Sequence, residues 1–357
     1  MEILQLSDYH IYIGTVAESL TQYLNGKKYS RYIVLCDENT EKHCLPILEK
    51  HFPNLDFLTV KIPDGEAYKN IDTCQSIWRQ LMVAGIDRKA LMLNLGGGVI
   101  GDMGGFCAST FKRGIDFVQI PTTLLSQVDA SIGGKLGIDF ASVKNSIGLF
   151  CNPKAVLIDP EFLKTLSKRE LRSGFAEIIK HALIADAAQW QEIEKLEVGS
   201  QMSEEGNWEK FIVPSLKIKQ RIVEEDPFEK GIRKALNFGH TIGHAVESLF
   251  LESDEPLLHG EAIAIGMVCE SWLSHKILGL PQENLQSITT FLTKWYGRRH
   301  ISEKDFGILL DLMQNDKKNE RDRINFTLIN PIGNCVIDQY ADAEAIFESM
   351  RYYNDAG

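Results

Sequence analysis

The sequence predicts an α/β domain followed by a mainly α-helical domain. Up to about residue 165, short and almost continuously apolar runs alternate with helical patterns. That alternation is typical of a parallel sheet covered by helices on both faces. After Pro160 the apolar residues recur at helical spacing through most of the remaining chain. We therefore expect domains at residues 1–165 and 166–357, since a chain of 357 residues usually holds about two domains.

The elements follow from these patterns in chain order. Five apolar runs of the first domain are predicted strands, at residues 32–36, 57–62, 90–95, 117–120 and 155–158. Helical periodicity lies between them near 40–50 and 71–85. In the second domain, helices are predicted at about 161–186, 211–225, 236–250, 260–278, 281–296 and 303–314. Only residues 325–329 and 335–337 are predicted to be extended there.

Composition and charge exclude several classes of protein. The chain is 44% apolar and 24% charged, which is ordinary for a soluble globular protein. A net charge of −11 argues against nonspecific binding to nucleic acid or to acidic membranes. No apolar run approaches the length of a membrane span. The seven scattered cysteines indicate reduced thiols, and the N-terminus lacks a cationic leader, so we expect a cytoplasmic protein.

A glycine-rich loop follows the third predicted strand. Residues 96–102 match the Gly-x-Gly-x-x-Gly pattern and open an apolar helix whose N-terminus can receive a pyrophosphate. The alternative is a tight strand–helix turn. The loop does not follow the first strand of the chain, and no acidic residue about 20 positions further on is a clear ribose ligand. The pattern therefore favours a dinucleotide-binding domain of another kind than the standard Rossmann fold.

Polar residues after other strands are further candidates for ligand contacts. Asp37 follows an early strand and could hold adenosine hydroxyls, or it could cap a helix. Thr122 and Thr123 follow another strand and could hydrogen-bond the cofactor or cap the next helix. Lys135 and Lys144 lie beside glycine-rich backbone in an acidic protein, which favours anion binding over solvated lysines.

Histidines in the second domain predict a metal or phosphate site. If the run around residue 240 is helical, Asn237, His240 and His244 lie at i, i+3 and i+7 on one face. His259 follows downstream, and Glu177 shares a helical face with Lys180 and His181. Two histidines and a glutamate form the ligand set of open catalytic zinc sites. Spacing alone does not choose among His181, His240, His244 and His259.

These motifs together resemble one family, the 3-dehydroquinate synthases within the wider sugar-phosphate cyclases. The resemblance runs in order from about residue 60 to 265. It covers residues 63–66, 95–102, 113–114, 119–125, 128–131, 133–135, 144–145, 176–180, 237–241 and 259–262, with 316–318 near the end. It implies an α/β N-terminal dinucleotide-binding domain that holds NAD, and a mainly α-helical C-terminal metal-binding domain.

The resemblance also implies which residues form the sites. Divalent metal, Zn²⁺ with Co²⁺ as the alternative, is implied at Glu177, His240 and His259. Substrate contacts are implied at Asp129, Lys135, Asn145, Lys180, Lys219, Arg233, Asn237, His244 and Lys318. NAD contacts are implied at Asp37, Asp64, Gly65, Glu66, Lys69, Gly98, Val99, Ile100, Gly101, Asp102, Thr122, Thr123, Lys135, Lys144, Phe162 and Thr165. Arg113 is expected to reach the substrate phosphate of the partner subunit in a homodimer.

The implied reaction converts 3-deoxy-D-arabino-heptulosonate 7-phosphate to 3-dehydroquinate and phosphate, a step of the shikimate pathway to aromatic amino acids. It combines transient NAD-dependent oxidation, β-elimination of phosphate, re-reduction and aldol closure. Two alternatives are a cyclase similar to 2-deoxy-scyllo-inosose synthase, against which Lys219 and Arg233 argue, and a metal-dependent polyol dehydrogenase. The metal and lysine motifs argue against an inactive binding protein. Leu136, Asp139 and Val143 depart from the residues that the family commonly has there.

Overall fold

The structure is a computed structural model that describes residues 1–141, 143–198, 207–314 and 323–356. The chain forms two compact units, unit 1 at Met1–Ser167 and unit 2 at Lys168–Gly357. Unit 1 is built on a mostly parallel sheet and unit 2 is mainly helical, which confirms the predicted fold class. Within the described ranges, no helix is long and apolar enough to cross a membrane.

Unit 1 contains nine strands and five helices among its described residues. The strands are β1 Glu2–Gln5, β2 His10–Ile13, β3 Tyr32–Asp37, β4 Phe57–Ile62, β5 Leu91–Gly96, β6 Asp116–Pro121, β7 Lys135–Phe140, β8 Val143–Phe150 and β9 Ala155–Ile158. The helices are α1 Val16–Leu24, α2 Glu38–His43, α3 Leu45–His51, α4 Ile71–Val83 and α5 Gly98–Thr110. All five predicted strands are confirmed.

The main sheet has seven strands in the order β1-β2-β9-β6-β5-β3-β4, and only β1 is antiparallel to its neighbour. Apolar side chains cover both faces. Ile33 and Leu35 belong to the core on one face with α4 and α5, whereas Val34 and Cys36 belong to the other core with α1 and α3. Burial on both faces explains why the predicted strands read as continuous apolar runs.

Four strands of unit 1 were not expected from the sequence. β1 and β2 form a hairpin that joins the sheet edge beside β9, and they are only four residues long each. β7 and β8 form a separate antiparallel hairpin, where the sequence suggested a glycine-rich phosphate loop. Most of β8 is exposed, so it lacks the apolar pattern that marks a buried strand.

Unit 2 contains eight helices and one hairpin in its described part. The helices are α6 Lys168–Ala185, α7 Ala187–Glu194, α8 Glu209–Glu225, α9 His240–Phe250, α10 His259–Leu273, α11 Gln282–Tyr296, α12 Phe306–Gln314 and α13 Ala343–Asp355. The strands are β10 Ile324–Ile329 and β11 Cys335–Ala341. Helix α10 is central, with α6, α9, α11 and α13 packed around it. Its small and apolar residues are buried on almost every side, as a core helix requires.

Three predicted helix limits were wrong. Residues Pro160–Thr165 form a 3₁₀ turn, and the predicted helix begins only at Lys168. Helix α10 ends at Leu273 and continues as a π turn at Ser274–Leu278. Residues Ile232–Asn237 form another 3₁₀ turn, which the left-handed Gly239 separates from α9. Helix α13 was not predicted, although Asp342 caps it and its buried residues recur at helical spacing.

Candidate functional site

In unit 1, the predicted phosphate loop lies at a topological switch point of the sheet. From β3 the chain goes on to β4 on one side, whereas from β5 it passes through α5 to β6 on the other. Asp37 ends β3 and Gly96 ends β5, and these two strands are neighbours in the sheet. Open parallel sheets bind ligands at such points, outside the carboxyl ends of the strands. The chain topology thus brings the two predicted cofactor segments together.

The glycines of this loop serve different purposes. A Cβ on Gly96 would lie 2.5 Å from the Ile100 side chain, and one on Gly104 would lie 2.2 Å from the Asn94 oxygen. These two glycines are required for packing. A Cβ on Gly98 would meet only Ala130, at 3.6 Å, so packing does not demand a glycine there. Helix α5 also lacks a side-chain cap, so the backbone N–H groups of its first turn remain for an anion.

The polar residues around the loop are already partly engaged with each other. Asp37 caps α2, because its Oδ1 accepts hydrogen bonds from the Thr40 N–H at 2.8 Å and the Thr40 hydroxyl at 2.9 Å. One carboxylate oxygen of Asp37 therefore acts as a helix cap, which was one of the two roles that the sequence allowed. Thr123 likewise caps the turn at Ser126, and the Thr122 N–H donates to Gly96. The buried Phe162 side chain belongs to the core, which leaves only its backbone for a ligand.

Lys69 forms the centre of a polar network in unit 1. Its Nζ contacts Asp102 Oδ2 and Asn145 Oδ1, each at 2.7 Å. Burial alone lowers the pKa of Lys69, but Asp102 and Glu66 raise it above its usual value, so the side chain stays charged. Asp139, one of the family departures, accepts the Asn145 N–H at 2.7 Å and holds that residue at a left-handed φ of 50°.

The other predicted residues of unit 1 lie on its turns and on the β7–β8 hairpin. Asp64 and Gly65 follow β4, and the pKa of Asp64 is raised by burial and by the nearby Asp37. Asp129 lies in a π turn and Arg113 in a left-handed turn after α5. Glu66 and Thr165 lie in the 3₁₀ turns Glu66–Tyr68 and Pro160–Thr165. The first turn of α5 contains Val99, Ile100 and Gly101. Lys135 and Lys144 lie on the β7–β8 hairpin.

In unit 2, three predicted metal ligands surround one point. Oε1 of the fully buried Glu177 lies 3.5 Å from Nε2 of His240 and 3.4 Å from Nε2 of His259. These contacts are longer than regular N–H···O hydrogen bonds. Two ligand atoms bound to zinc at about 2.05 Å and at the tetrahedral angle are about 3.4 Å apart. The distances from Glu177 Oε1 to the two imidazole nitrogens therefore fit ligand atoms of a tetrahedral divalent metal.

The second nitrogen of each imidazole is also held. Nδ1 of His240 lies 3.1 Å from the Phe238 carbonyl oxygen, and Nδ1 of His259 lies 3.2 Å from Glu247 Oε2. Metal-bound histidines usually donate their other N–H to a carbonyl or carboxylate in this way. The two rings therefore present Nε2 to the common point. Glu247 was not among the predicted site residues, although it follows His240 by seven positions on the same helix face.

Charges in the cluster favour the ionised carboxylate. Burial by itself raises the pKa of Glu177, but Lys180 and the two imidazoles pull it well below its usual range. Burial and the Lys180 charge hold the pKa of His240 far below normal, so its imidazole is neutral. Burial lowers the pKa of His259, but its contacts with Glu177 and Glu247 outweigh burial and raise the pKa to about 10. A bound cation would take the place of that proton.

The remaining histidines differ in their surroundings. One ring nitrogen of His244 lies within 4.8 Å of one ring nitrogen each of His240 and His259, and His244 is exposed. It is thus beside the predicted metal ligands and accessible to a substrate. His181 is buried, and its Nδ1 lies 2.6 Å from the Ser215 hydroxyl. Among the described residues, the geometry brings His240, His244 and His259 together and ties His181 to another helix.

Three of the predicted cations of unit 2 are buried. Lys180, Lys219 and Arg233 are 1%, 4% and 2% exposed. Lys180 lies against Glu177, and Arg233 donates to the Pro227 carbonyl at 2.6 Å. Burying a cation is costly unless a negative group compensates it, and Glu177 does so for Lys180. Asn237 donates to Glu229 at 3.0 Å, and the predicted residue Lys318 lies outside the described residues.

Close helix crossings set the positions of the ligands. His240 is the first residue of α9 and His259 the first of α10, whereas Glu177 lies within α6. A Cβ on Gly266 would lie 1.9 Å from the Gly239 carbonyl oxygen, and one on Gly260 would lie 2.0 Å from the Ser173 carbonyl oxygen. These glycines let α10 touch the backbones of α9 and α6. The isolated glycines of the sequence pattern thus reflect backbone contact between the helices that carry the ligands.

Comparison with known proteins identifies the family of the chain. The family model for the 3-dehydroquinate synthase N-terminal domain matches residues 59–173, and the model for the C-terminal domain matches residues 174–319. A 3-dehydroquinate synthase from Parabacteroides distasonis is 42% identical over 339 residues, which are 94% of this chain and 95% of that protein.

Solved structures share the fold over the whole chain. A 2-deoxy-scyllo-inosose synthase with carbaglucose-6-phosphate, NAD⁺ and Co²⁺ has a TM-score of 0.87 at 24% identity, covering 98% of this chain and 99% of that one. A 2-epi-5-epi-valiolone synthase from Streptomyces hygroscopicus with NAD⁺ and Zn²⁺ has a TM-score of 0.85 at 25% identity, covering 100% and 99%. On the family models and the sequence identity to the Parabacteroides enzyme, the chain belongs to the 3-dehydroquinate synthase family.

Proposed function

We propose that this chain is a 3-dehydroquinate synthase, a phosphate-eliminating carbon–oxygen lyase. Its substrate would be 3-deoxy-D-arabino-heptulosonate 7-phosphate, and its products 3-dehydroquinate and phosphate. The observation that carries the proposal is the cluster of Glu177, His240 and His259, in which one carboxylate oxygen faces two imidazole nitrogens at 3.4 and 3.5 Å. Similarity to a 3-dehydroquinate synthase over 94% of the chain supports it.

We propose that these three side chains hold a divalent metal, Zn²⁺ or Co²⁺, and that unit 1 holds NAD. A bound metal of this kind lowers the pKa of a coordinated hydroxyl, and a bound nicotinamide accepts and returns a hydride. The bare N-terminus of α5 would receive the pyrophosphate, since its first N–H groups have no side-chain cap. The other cofactor contacts implied by the family stay proposals.

The cations of unit 2 would bind the anionic ends of the substrate. Arg233 offers a planar fork that suits the carboxylate, and buried Lys219 adds a second positive charge. Lys180 keeps Glu177 ionised, as the lowered pKa of that carboxyl indicates. His244 is exposed beside the cluster and would hydrogen-bond the phosphate together with Asn237. Lys135, Asn145 and Lys318 would contribute further phosphate contacts, and Asp129 a polar contact to the sugar.

We also propose a homodimer in the cytoplasm. The β7–β8 hairpin exposes four large apolar side chains, Phe140, Val143, Ile147 and Phe150, between 37% and 58%. Exposed apolar patches of this kind often mark protein interfaces. Arg113, in its left-handed turn, would reach the partner's substrate phosphate. All seven cysteines are free, which suits a reducing compartment. Light scattering should give twice the chain mass; the mass of one chain would contradict the dimer.

A substrate panel tests the proposed reaction. The protein would be given the heptulosonate 7-phosphate, glucose 6-phosphate or glycerol, with metal and with NAD⁺ at a small fraction of the substrate concentration. We expect phosphate release from the heptulosonate alone, with many turnovers for each NAD⁺. Phosphate release from glucose 6-phosphate would favour the inosose synthase alternative. NADH accumulating in step with glycerol oxidation would favour a polyol dehydrogenase.

A further inference from the structure

Helix α9 has no N-terminal cap of its own. The residue before it is Gly239, which has a left-handed φ of 79° and no side chain that could accept a hydrogen bond. The first N–H groups of a helix need acceptors when they are buried. His240, the first residue of α9, therefore begins a helix whose N-terminal turn must be held from elsewhere.

The acceptor comes from α10. Glu270 is completely buried, and its Oε2 accepts the Gly239 N–H at 2.6 Å while its Oε1 accepts the Ile242 N–H at 3.2 Å. These two bonds lie on either side of His240 in the chain. The crossing of α9 and α10 is tight here, because a Cβ on Gly239 would lie 2.5 Å from the Met267 side chain. Glu270 thus does for α9 what an N-cap side chain does for other helices.

We infer that Glu270 is a positioning residue for His240, which caps α9 from α10 and fixes where its imidazole faces Glu177 and His259. The inference rests on the proposed metal role of His240. It holds in either protonation state of Glu270, because both carboxyl oxygens keep a lone pair for an N–H. Glutamine offers one accepting oxygen, so Glu270→Gln would leave one N–H of the first turn facing an NH₂ group.

The experiment compares metal binding by the full-length wild type and E270Q. Co²⁺ is titrated into chelator-treated protein against a competing chromophoric chelator, and the visible Co²⁺ spectrum of each complex is recorded. We expect Co²⁺ affinity to fall 10- to 100-fold, the usual effect of losing support behind a metal ligand. We also expect a changed spectrum, because the spectrum reports coordination geometry.

Asp159→Asn is the matched control. Asp159 is 3% exposed, and its oxygens accept the Val16 and Glu161 N–H groups at 2.7 and 2.9 Å, one N–H per oxygen. Asp159 lies in unit 1, whereas Glu177, His240 and His259 lie in unit 2. We expect both E270Q and D159N to lower the melting temperature, and D159N to keep the wild-type Co²⁺ affinity and spectrum.

The outcomes separate this inference from the proposed function. If wild type binds Co²⁺ and folded E270Q shows the same affinity and spectrum, the inference is wrong and the metal site stands. If wild type binds no Co²⁺, both are wrong. Should E270Q fail to fold, Glu270→Asp gives the readout, because it keeps both oxygens on a side chain one methylene shorter. An affinity between those of wild type and a His240→Ala variant supports the inference, and wild-type affinity overturns it.

Discussion

Replacing Gly266 by alanine should disrupt the metal cluster without touching any ligand. The new Cβ would lie 1.9 Å from the Gly239 carbonyl oxygen and 2.7 Å from the Gly243 nitrogen. Because carbon and oxygen approach to about 3.3 Å at closest, α9 and α10 must separate by roughly 1.4 Å. Metal sites tolerate deviations of only about 0.2 Å in ligand distance. His240 follows Gly239 directly, so we expect Gly266→Ala to lose at least 100-fold in metal affinity.

The assay is the same Co²⁺ competition, together with thermal unfolding of the metal-free protein. Overpacking should also reduce stability by about 1–3 kcal/mol. Gly307→Ala is the control, since Gly307 lies in α12 with no atom within 4 Å of the added Cβ. It should keep wild-type affinity and gain up to about 1 kcal/mol. A Gly266→Ala protein with wild-type stability and affinity would refute the view that this helix crossing sets the ligand geometry.

Two further predictions concern carboxylates near the cluster. Glu247→Ala removes the partner of His259 Nδ1 and should weaken Co²⁺ binding by 10- to 100-fold in the same competition; unchanged affinity would show that this contact does not orient the ring. Burial raises the pKa of Glu270 from 4.5 to about 8, so its stabilising effect is complete below pH 4.5 and is lost as the pH rises through 8. A pKa difference of one unit is worth about 1.4 kcal/mol. As the pH rises from 4.5 through 8, the free energy of unfolding of the metal-free protein should therefore fall by on the order of 3–5 kcal/mol more in wild type than in Glu270→Gln. Parallel pH profiles from denaturant unfolding would contradict this.

The fold could be predicted largely from local patterns. Strands buried on both faces, such as β3 and β5, are continuous apolar runs bounded by polar residues, and the helices of unit 2 show helical spacing. The β7–β8 hairpin was missed because its second strand is exposed and is stabilised by pairing with the first. Periodicity reports burial, so it does not reveal an element that is held mainly by backbone hydrogen bonds.

The site was less predictable than the fold. The metal ligands were implied by resemblance, since spacing could not separate His181 from His240, His244 and His259. Asn237 was expected on one helical face with His240, but Gly239 breaks the helix between them with a φ of 79°. The segment Asn-Phe-Gly-His contains a glycine, but glycines are also tolerated within helices. The helix break could therefore not be predicted from the sequence alone.

Glu270 could not have been found from the sequence, for a physical reason. It lies 31 positions after Gly239, and only the packing of α10 against α9 brings its carboxylate to the N-terminus of α9. In the sequence it is a single acidic residue among apolar ones. Glu247 was in reach, because its position on the same helix face as His240 and His244 already placed it beside the cluster.

The central claim is that Glu177, His240 and His259 hold the divalent metal on which turnover depends. Its most direct test is a titration of Zn²⁺ into chelator-treated protein, with bound metal and phosphate release from the heptulosonate 7-phosphate measured on the same samples. We predict no phosphate release without metal, and a rise in proportion to bound Zn²⁺ that ends at one ion per chain. Full phosphate release from protein shown to be free of metal would contradict it.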